Sequence, residues 1–190
     1  LDPFDHQAFA ASGIDFFACV TNTLTGKPEH LKVTDSKAQL DYIRASASLP
    51  FLSRKVVIDG VPYLDGGITD NIPLDKCIEE GCGKIVVVLT HPEGYVKKES
   101  MYPLSRLLYP RDKALQEAFR LRNIRYNARL AELSRLKDEG RIFVIRPSAA
   151  IAVSRLEKDH AKIQAAYDLG VTDAQSLWAP LEKYLAAGED

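Results

Sequence analysis

The 190-residue sequence has no apolar run near the roughly 20 residues that a membrane-spanning helix needs. Its opening residues, LDPFDHQAFA, show no basic stretch followed by an apolar one. As given, the chain is therefore expected neither to span a membrane nor to direct its own export. Cysteine is scarce: Cys19, Cys77 and Cys82 cannot all pair with one another. Cys77 and Cys82 lack the second cysteine pair or nearby histidines of a zinc site, and His6, His30 and His160 show no metal-ligand spacing. Reduced thiols in a cytoplasmic protein with no metal site and no cofactor are the expectation. No serine has glycine both two residues before and two residues after it, so no G-x-S-x-G turn is present. Nor is there an internal repeat or a low-complexity tract.

What is present is ordinary for a soluble globular protein, 46% hydrophobic and 27% charged, and long enough for one domain with a substantial core. A net charge of −1 argues against binding nucleic acid through bulk electrostatics. The charge is nevertheless uneven. Residues 97–146 hold 13 Lys and Arg against 6 Asp and Glu, whereas residues 1–96 hold 8 against 13.

The strongest local signals fall in residues 55–91, KVVIDGVPYLDGGITDNIPLDKCIEEGCGKIVVVLTH. Two short apolar runs flank Asp59-Gly60, a dipeptide that tolerates positive φ and closes a two-residue hairpin. Pro62 predicts that the second strand is an edge or a bulged one. That strand delivers Asp65 into Gly66-Gly67, where missing side chains permit a sharp turn and close approach to the carboxylate. Residues 73–80 read as a helix ended by Gly81. The unbroken apolar run 85–89 reads as a strand buried on both faces.

Elsewhere, residues 14–21 and 29–33 read as strands joined through Thr25-Gly26-Lys27. Ser36 and Gln39 fit a capping box. The helix that follows should bury Leu40, Ile43 and Ala47 and stop at Pro50. Residues 91–103 carry loop signals. Residues 111–138 contain neither glycine nor proline and place Leu115, Phe119, Tyr126, Leu130 and Leu133 near a helical period. Arg122, Arg125 and Arg129 form a basic stripe on another face of that helix, which reads first as solvated charge and second as an attraction to anionic lipid. A strand at 142–145 and helices from Ser154 onward, broken at Leu169-Gly170, complete the pattern. Strands alternating with helices predict a three-layer α/β/α sandwich with a mainly parallel sheet.

Taken together, R-A-S-A-S-L-P at 44–50, D-G-G at 65–67 and Asn71-Ile72-Pro73 resemble the segment around the catalytic aspartate of the patatin-like phospholipases. Residues 16–31, FFACVTNTLTGKPEHL, resemble that family's strand and hairpin. The resemblance covers residues 1–95 as a family-like core, with a long basic helix, a strand and C-terminal helices over 96–190. It implies the C-terminal portion of one catalytic domain, incomplete at its N-terminal side. It also implies a lipid or other acyl ester as substrate and a serine–aspartate dyad. Asp65 would be the general base to a serine upstream of Leu1, and Gly66 and Gly67 would serve backbone geometry; Asp70 and Asn71 read as residues that hold the loop through side-chain to backbone hydrogen bonds. An aspartate is ordinarily a weak base at neutral pH, and the bland alternative is that Asp65 only caps the following turn.

Three expectations follow for the chain as it stands: no ester hydrolysis by itself, self-association through surface that a whole domain would cover, and peripheral contact with anionic membrane. A non-catalytic α/β module that binds lipid or protein is the rival reading. A phosphate cradle at Gly81-Cys82-Gly83 is disfavoured because those glycines precede a strand, whereas phosphate cradles precede a helix.

Overall fold

A computed structural model describes residues 4–154 and 157–188. In chain order the elements are α1 (His6–Ala11), β1 (Phe16–Asn22), β2 (Lys27–Val33), α2 (Leu40–Ser46), β3 (Val56–Ile58), β4 (Val61–Asp65), a 3-10 turn (Gly66–Ile68), α3 (Leu74–Glu79), β5 (Ile85–Val88), α4 (Tyr102–Leu108), α5 (Lys113–Asp138), β6 (Ile142–Ile145), α6 (His160–Ser176) and α7 (Trp178–Ala186). They fall into two compact units, one drawn from residues 1–76 and 98–128, the other from residues 77–97 and 129–190.

The first unit is built on a four-stranded sheet of order β2-β1-β4-β3, antiparallel at every pairing. Two of these pairings, β1–β2 and β3–β4, are hairpins whose short turns can join only antiparallel neighbours, and β1–β4 joins one hairpin to the other. At the β3–β4 turn Asp59 and Gly60 have φ of 50° and 81°, the paired positive values of the predicted two-residue loop. Leu64, Ile68, Leu115, Ala118 and Phe119 form one buried cluster, against which Phe51, Met101 and Tyr109 pack. Val20, Ala45, Val56 and Tyr63 form another. In the second unit β5 and β6 pair in parallel, from Ile85 opposite Ile142 to Val88 opposite Ile145. Tyr184 of α7 ties down the start of that pair by accepting from the Ile85 N–H at 3.0 Å.

The α/β class is thus observed, while the mainly parallel sheet is not: among the described residues parallel pairing is confined to β5 and β6. Burial of 85–89 on both faces also fails, since Val86 and Val88 are 39% and 70% exposed and only one face of β5 is covered. β4 is an inner strand and not an edge. Pro62 is accommodated there because the β1 ladder ends at Asn22 opposite Tyr63, so the missing N–H breaks no bond, and the Pro62 carbonyl accepts from the Thr23 N–H at 3.0 Å.

Asp35, rather than Ser36, caps the turn before α2 by accepting from the N–H groups of Lys37 and Ala38, both at 2.9 Å. Ser36 instead meets His6 Nδ1 at 2.8 Å. The α2 face turned to the sheet is that of Ala45, whose small side chain allows close approach, and Leu40, Ile43 and Ala47 lie outward. α6 runs through Gly170 and ends only at Leu177, because one glycine weakens a helix by about 1 kcal/mol without breaking it. Residues 102–108 form α4, with proline in its first turn, where no N–H is needed.

Candidate active site

Asp65 is the last residue of β4, half-buried, and opposite Val20 on β1. Three hydrogen bonds fix its position. Its N–H donates to the Ser48 carbonyl at 3.0 Å, its carbonyl accepts from Thr21 Oγ1 at 2.9 Å, and its Oδ1 accepts from the Gly67 N–H at 2.7 Å. Thr21 is held in turn by Thr69, their Oγ1 atoms being 2.8 Å apart. With the Thr21 proton on the Asp65 carbonyl, Thr69 is the donor in that pair. The contact with Ser48 brings the R-A-S-A-S-L-P segment against D-G-G. Ser48 lies just past α2, its Oγ donating to the Arg44 carbonyl at 2.7 Å, and its own carbonyl then holds the aspartate backbone.

Space requires glycine at Gly66 and leaves little room at Gly67, and neither has a positive φ. A Cβ on Gly66 would fall 2.5 Å from the Cys19 carbonyl oxygen and 2.6 Å from its Sγ. A Cβ on Gly67 would fall 3.0 Å from Asp65 Oδ1 and 3.1 Å from Asn71 Nδ2. The carboxylate, the bare Gly67 backbone and the Asn71 carboxamide therefore crowd together at the end of β4. Past the glycines, the N–H groups of Thr69 and Asp70 both donate to the Gly66 carbonyl, at 2.9 and 2.8 Å.

Arg122 was read from the sequence as part of an exposed stripe, and the structure corrects that. It is only 9% exposed, and its Nε donates to the Gly67 carbonyl at 2.8 Å while Nη1 reaches Met101 Sδ at 3.5 Å. Arg129 is paired with Glu132 at 2.6 Å, so of the three arginines Arg125 alone lies exposed. Gly67 has both backbone polar groups engaged, one by Asp65 and one by Arg122. Nothing local in the sequence signals this, since Arg122 lies in a run where most basic residues face solvent.

Nothing in the sequence signals the pairing of His30 with Asp70 either. Cys19 and His30 face each other across β1 and β2, and Asp70 of the D-G-G loop lies against both. His30 Nε2 stands 3.0 Å from Asp70 Oδ2, and the Cys19 thiol donates to the Asp70 carbonyl at 3.4 Å. Burial, together with the nearby Asp70 and Asp65 carboxylates, pushes the Cys19 thiol up to about 12, so it is no nucleophile at neutral pH. His91 stacks on Tyr95 with ring centres 3.7 Å apart, and burial holds its pKa below the usual imidazole value. Gly81, with φ of 73°, serves as a helix terminator: its N–H donates to the Ile78 carbonyl and that of Cys82 to the Cys77 carbonyl, both at 3.0 Å.

Residues 2–78 match the family described as patatin-like phospholipase, and this stretch includes Asp65, Gly66, Gly67 and Asn71. Residues 112–186 match a second family, described as a domain of unknown function (DUF6363). A protein of Escherichia coli (strain K12), described as uncharacterized protein YjjU, is 37% identical over 82 residues, 43% of this chain and 23% of that protein. The chain thus spans about a quarter of the length of the curated relative it matches.

Proposed function

Because residues 2–78 are a patatin-like phospholipase segment, we propose that the chain is the C-terminal portion of a single-domain lipid acyl hydrolase in which Asp65 is the general base. The family supports a hydrolase of lipids. The finer reading is phospholipase A-type cleavage of carboxylic esters by a serine–aspartate dyad, with the serine supplied from upstream of Leu1. The reaction is acyl transfer to water. The serine hydroxyl loses its proton to Asp65 as its oxygen attacks the ester carbonyl, and backbone amides of an upstream glycine-rich loop stabilise the oxyanion. No metal or organic cofactor enters this chemistry.

The observation that carries the reading is how the carboxylate is held. Oδ1 accepts from the Gly67 N–H at 2.7 Å, which orients the side chain at the end of β4. In this reading the other oxygen takes the serine proton. Gly66, Gly67 and Asn71 have supporting roles, the glycines by clearing space and Asn71 by filling the wall beside Gly67. In this reading the whole domain is a three-layer, mainly parallel α/β/α sandwich whose remaining strands come from outside these residues.

Peripheral contact with anionic membrane belongs to the same proposal. It draws on the basic excess of residues 97–146, with Arg122 and Arg129 subtracted. Binding to vesicles that is equally weak with and without anionic lipid would remove it. No helix among the described residues is long and apolar enough to cross a membrane. A cytoplasmic location goes with the free thiols.

The bond from Gly67 to Asp65 equally favours the rival reading, a non-catalytic lipid- or protein-binding module in which Asp65 only caps the turn. One experiment separates the two: ester hydrolysis by the protein carrying its upstream sequence, with Asp65→Asn compared at matched melting temperature. Asp65→Asn is expected to lower turnover by roughly 10²–10⁴-fold, the span of general-base catalysis. Unchanged turnover would leave the capping role alone. The 190-residue chain by itself is expected to hydrolyse nothing, and Asp65-dependent turnover by it would contradict an upstream serine.

A further inference from the structure

We propose that Cys19, His30 and Asp70 form a binding site for a divalent transition-metal ion, with zinc the best fit, which fastens the Asp65-bearing loop to the β1–β2 hairpin. The inference goes beyond the hydrolase reading and does not depend on it.

The three side chains are brought together by separate parts of the backbone. Antiparallel register places Cys19 directly opposite His30, so both side chains leave the same face of the sheet. Asp70 arrives through the 3-10 turn, where its N–H is held by the Gly66 carbonyl at 2.8 Å. One thiol sulfur, one imidazole nitrogen and one carboxylate oxygen consequently lie within 4.8 Å of one another, and all three residues are partly buried. Bond lengths of about 2.0–2.3 Å put the ligand atoms of a tetrahedral zinc roughly 3.3–3.8 Å apart. Separations at the 4.8 Å limit would close by roughly 1–1.5 Å to reach that geometry.

The donor set selects the ion. Calcium and magnesium require oxygen ligands throughout, whereas a sulfur, nitrogen and oxygen set suits zinc, with water in the fourth position. On binding, the Cys19 S–H bond breaks, its proton goes to solvent and an S–metal bond forms. His30 binds through a ring nitrogen's lone pair, with its proton on the other nitrogen, and Asp70 binds as carboxylate. No electron is transferred. The cation's two positive charges offset the carboxylates that oppose a thiolate at Cys19 in the empty site. Asp70 is five residues beyond Asp65, so the ion would restrain the loop that presents Asp65.

The test uses the purified 190-residue chain, stripped with chelator and then titrated with Zn²⁺ or Co²⁺. The expected result is one ion per chain, a melting temperature that rises with Zn²⁺, and a thiolate-to-cobalt charge-transfer band. Cys19→Ser abolishes the band and His30→Ala weakens binding by at least about tenfold, while the double variant Cys77→Ser and Cys82→Ser retains both properties. Far-UV circular dichroism of each metal-free variant checks that it folds. The wild-type chain decides alone if Cys19→Ser does not: without saturable binding and without a Zn²⁺-dependent rise in melting temperature, the contacts are only hydrogen bonds and the proposal fails. A band that follows Cys77 and Cys82 instead of Cys19 overturns it equally.

Discussion

At the scale of single residues, the D-G-G loop is specified by what cannot be added to it. An alanine at Gly66 would drive its Cβ to 2.5 Å from the Cys19 carbonyl oxygen, and neither strand backbone nor loop backbone can give way cheaply. Gly66→Ala is therefore expected to destabilise the protein by about 1–3 kcal/mol, the usual cost of overpacking, as read by urea denaturation. Arg122→Ala removes a charged donor from the Gly67 carbonyl, and a loss of roughly 1.5–3 kcal/mol is expected in the same measurement. Arg122→Lys should recover only part of it, because a lysine lacks the planar, fixed donors of a guanidinium. The crowding of Asp65, Gly66, Gly67 and Asn71 at the end of β4 is legible in the sequence because the four lie within seven consecutive residues. Arg122, His30 and Cys19 carry no such local signal. Each gains its role from a residue far away in the chain, and a charge pattern alone cannot distinguish an arginine aimed at a carbonyl from one aimed at water.

At the scale of elements, local chemistry was read well and burial poorly. Asp59-Gly60, the glycine stop at Gly81, the β6 strand and the long α5 all stand where turn residues and periodicity put them. The faces did not follow, since α2 turns Ala45 inward and β5 leaves Val86 and Val88 uncovered. Which face is buried depends on what packs there, and that information lies outside the element. α4 was hidden by a first-turn proline that also signals a loop.

The cap before α2 offers a test by pH. Two backbone N–H bonds, from Ala38 and Lys37, hold the Asp35 carboxyl below its ordinary range. A lowered folded-state pKa favours the ionised form, so its stabilisation is full above the unfolded value and is lost as pH falls through the folded one. Thermal melts should show Asp35→Ala below wild type at pH 6, with the gap closing as pH falls through and below the usual carboxylate range. A gap that stays constant down to the lowest pH would mean that ionised Asp35 is not the cap.

At the scale of the whole molecule, apolar side chains on strand faces stand in solvent, with Val57 59% and Val88 70% exposed. Sedimentation velocity of the isolated chain should accordingly show concentration-dependent self-association. A monodisperse monomer across the accessible range would count against uncovered sheet as the cause. Strand alternation predicts the α/β class and not the direction of pairing, which two tight hairpins make antiparallel for β1–β2 and β3–β4. The central claim, that Asp65 takes a proton from a serine lying upstream, is tested most directly by p-nitrophenyl ester hydrolysis in the protein extended through its upstream sequence. The account predicts turnover that Asp65→Asn lowers at least about a hundredfold with melting temperature unchanged. Equal turnover by the two proteins would contradict it.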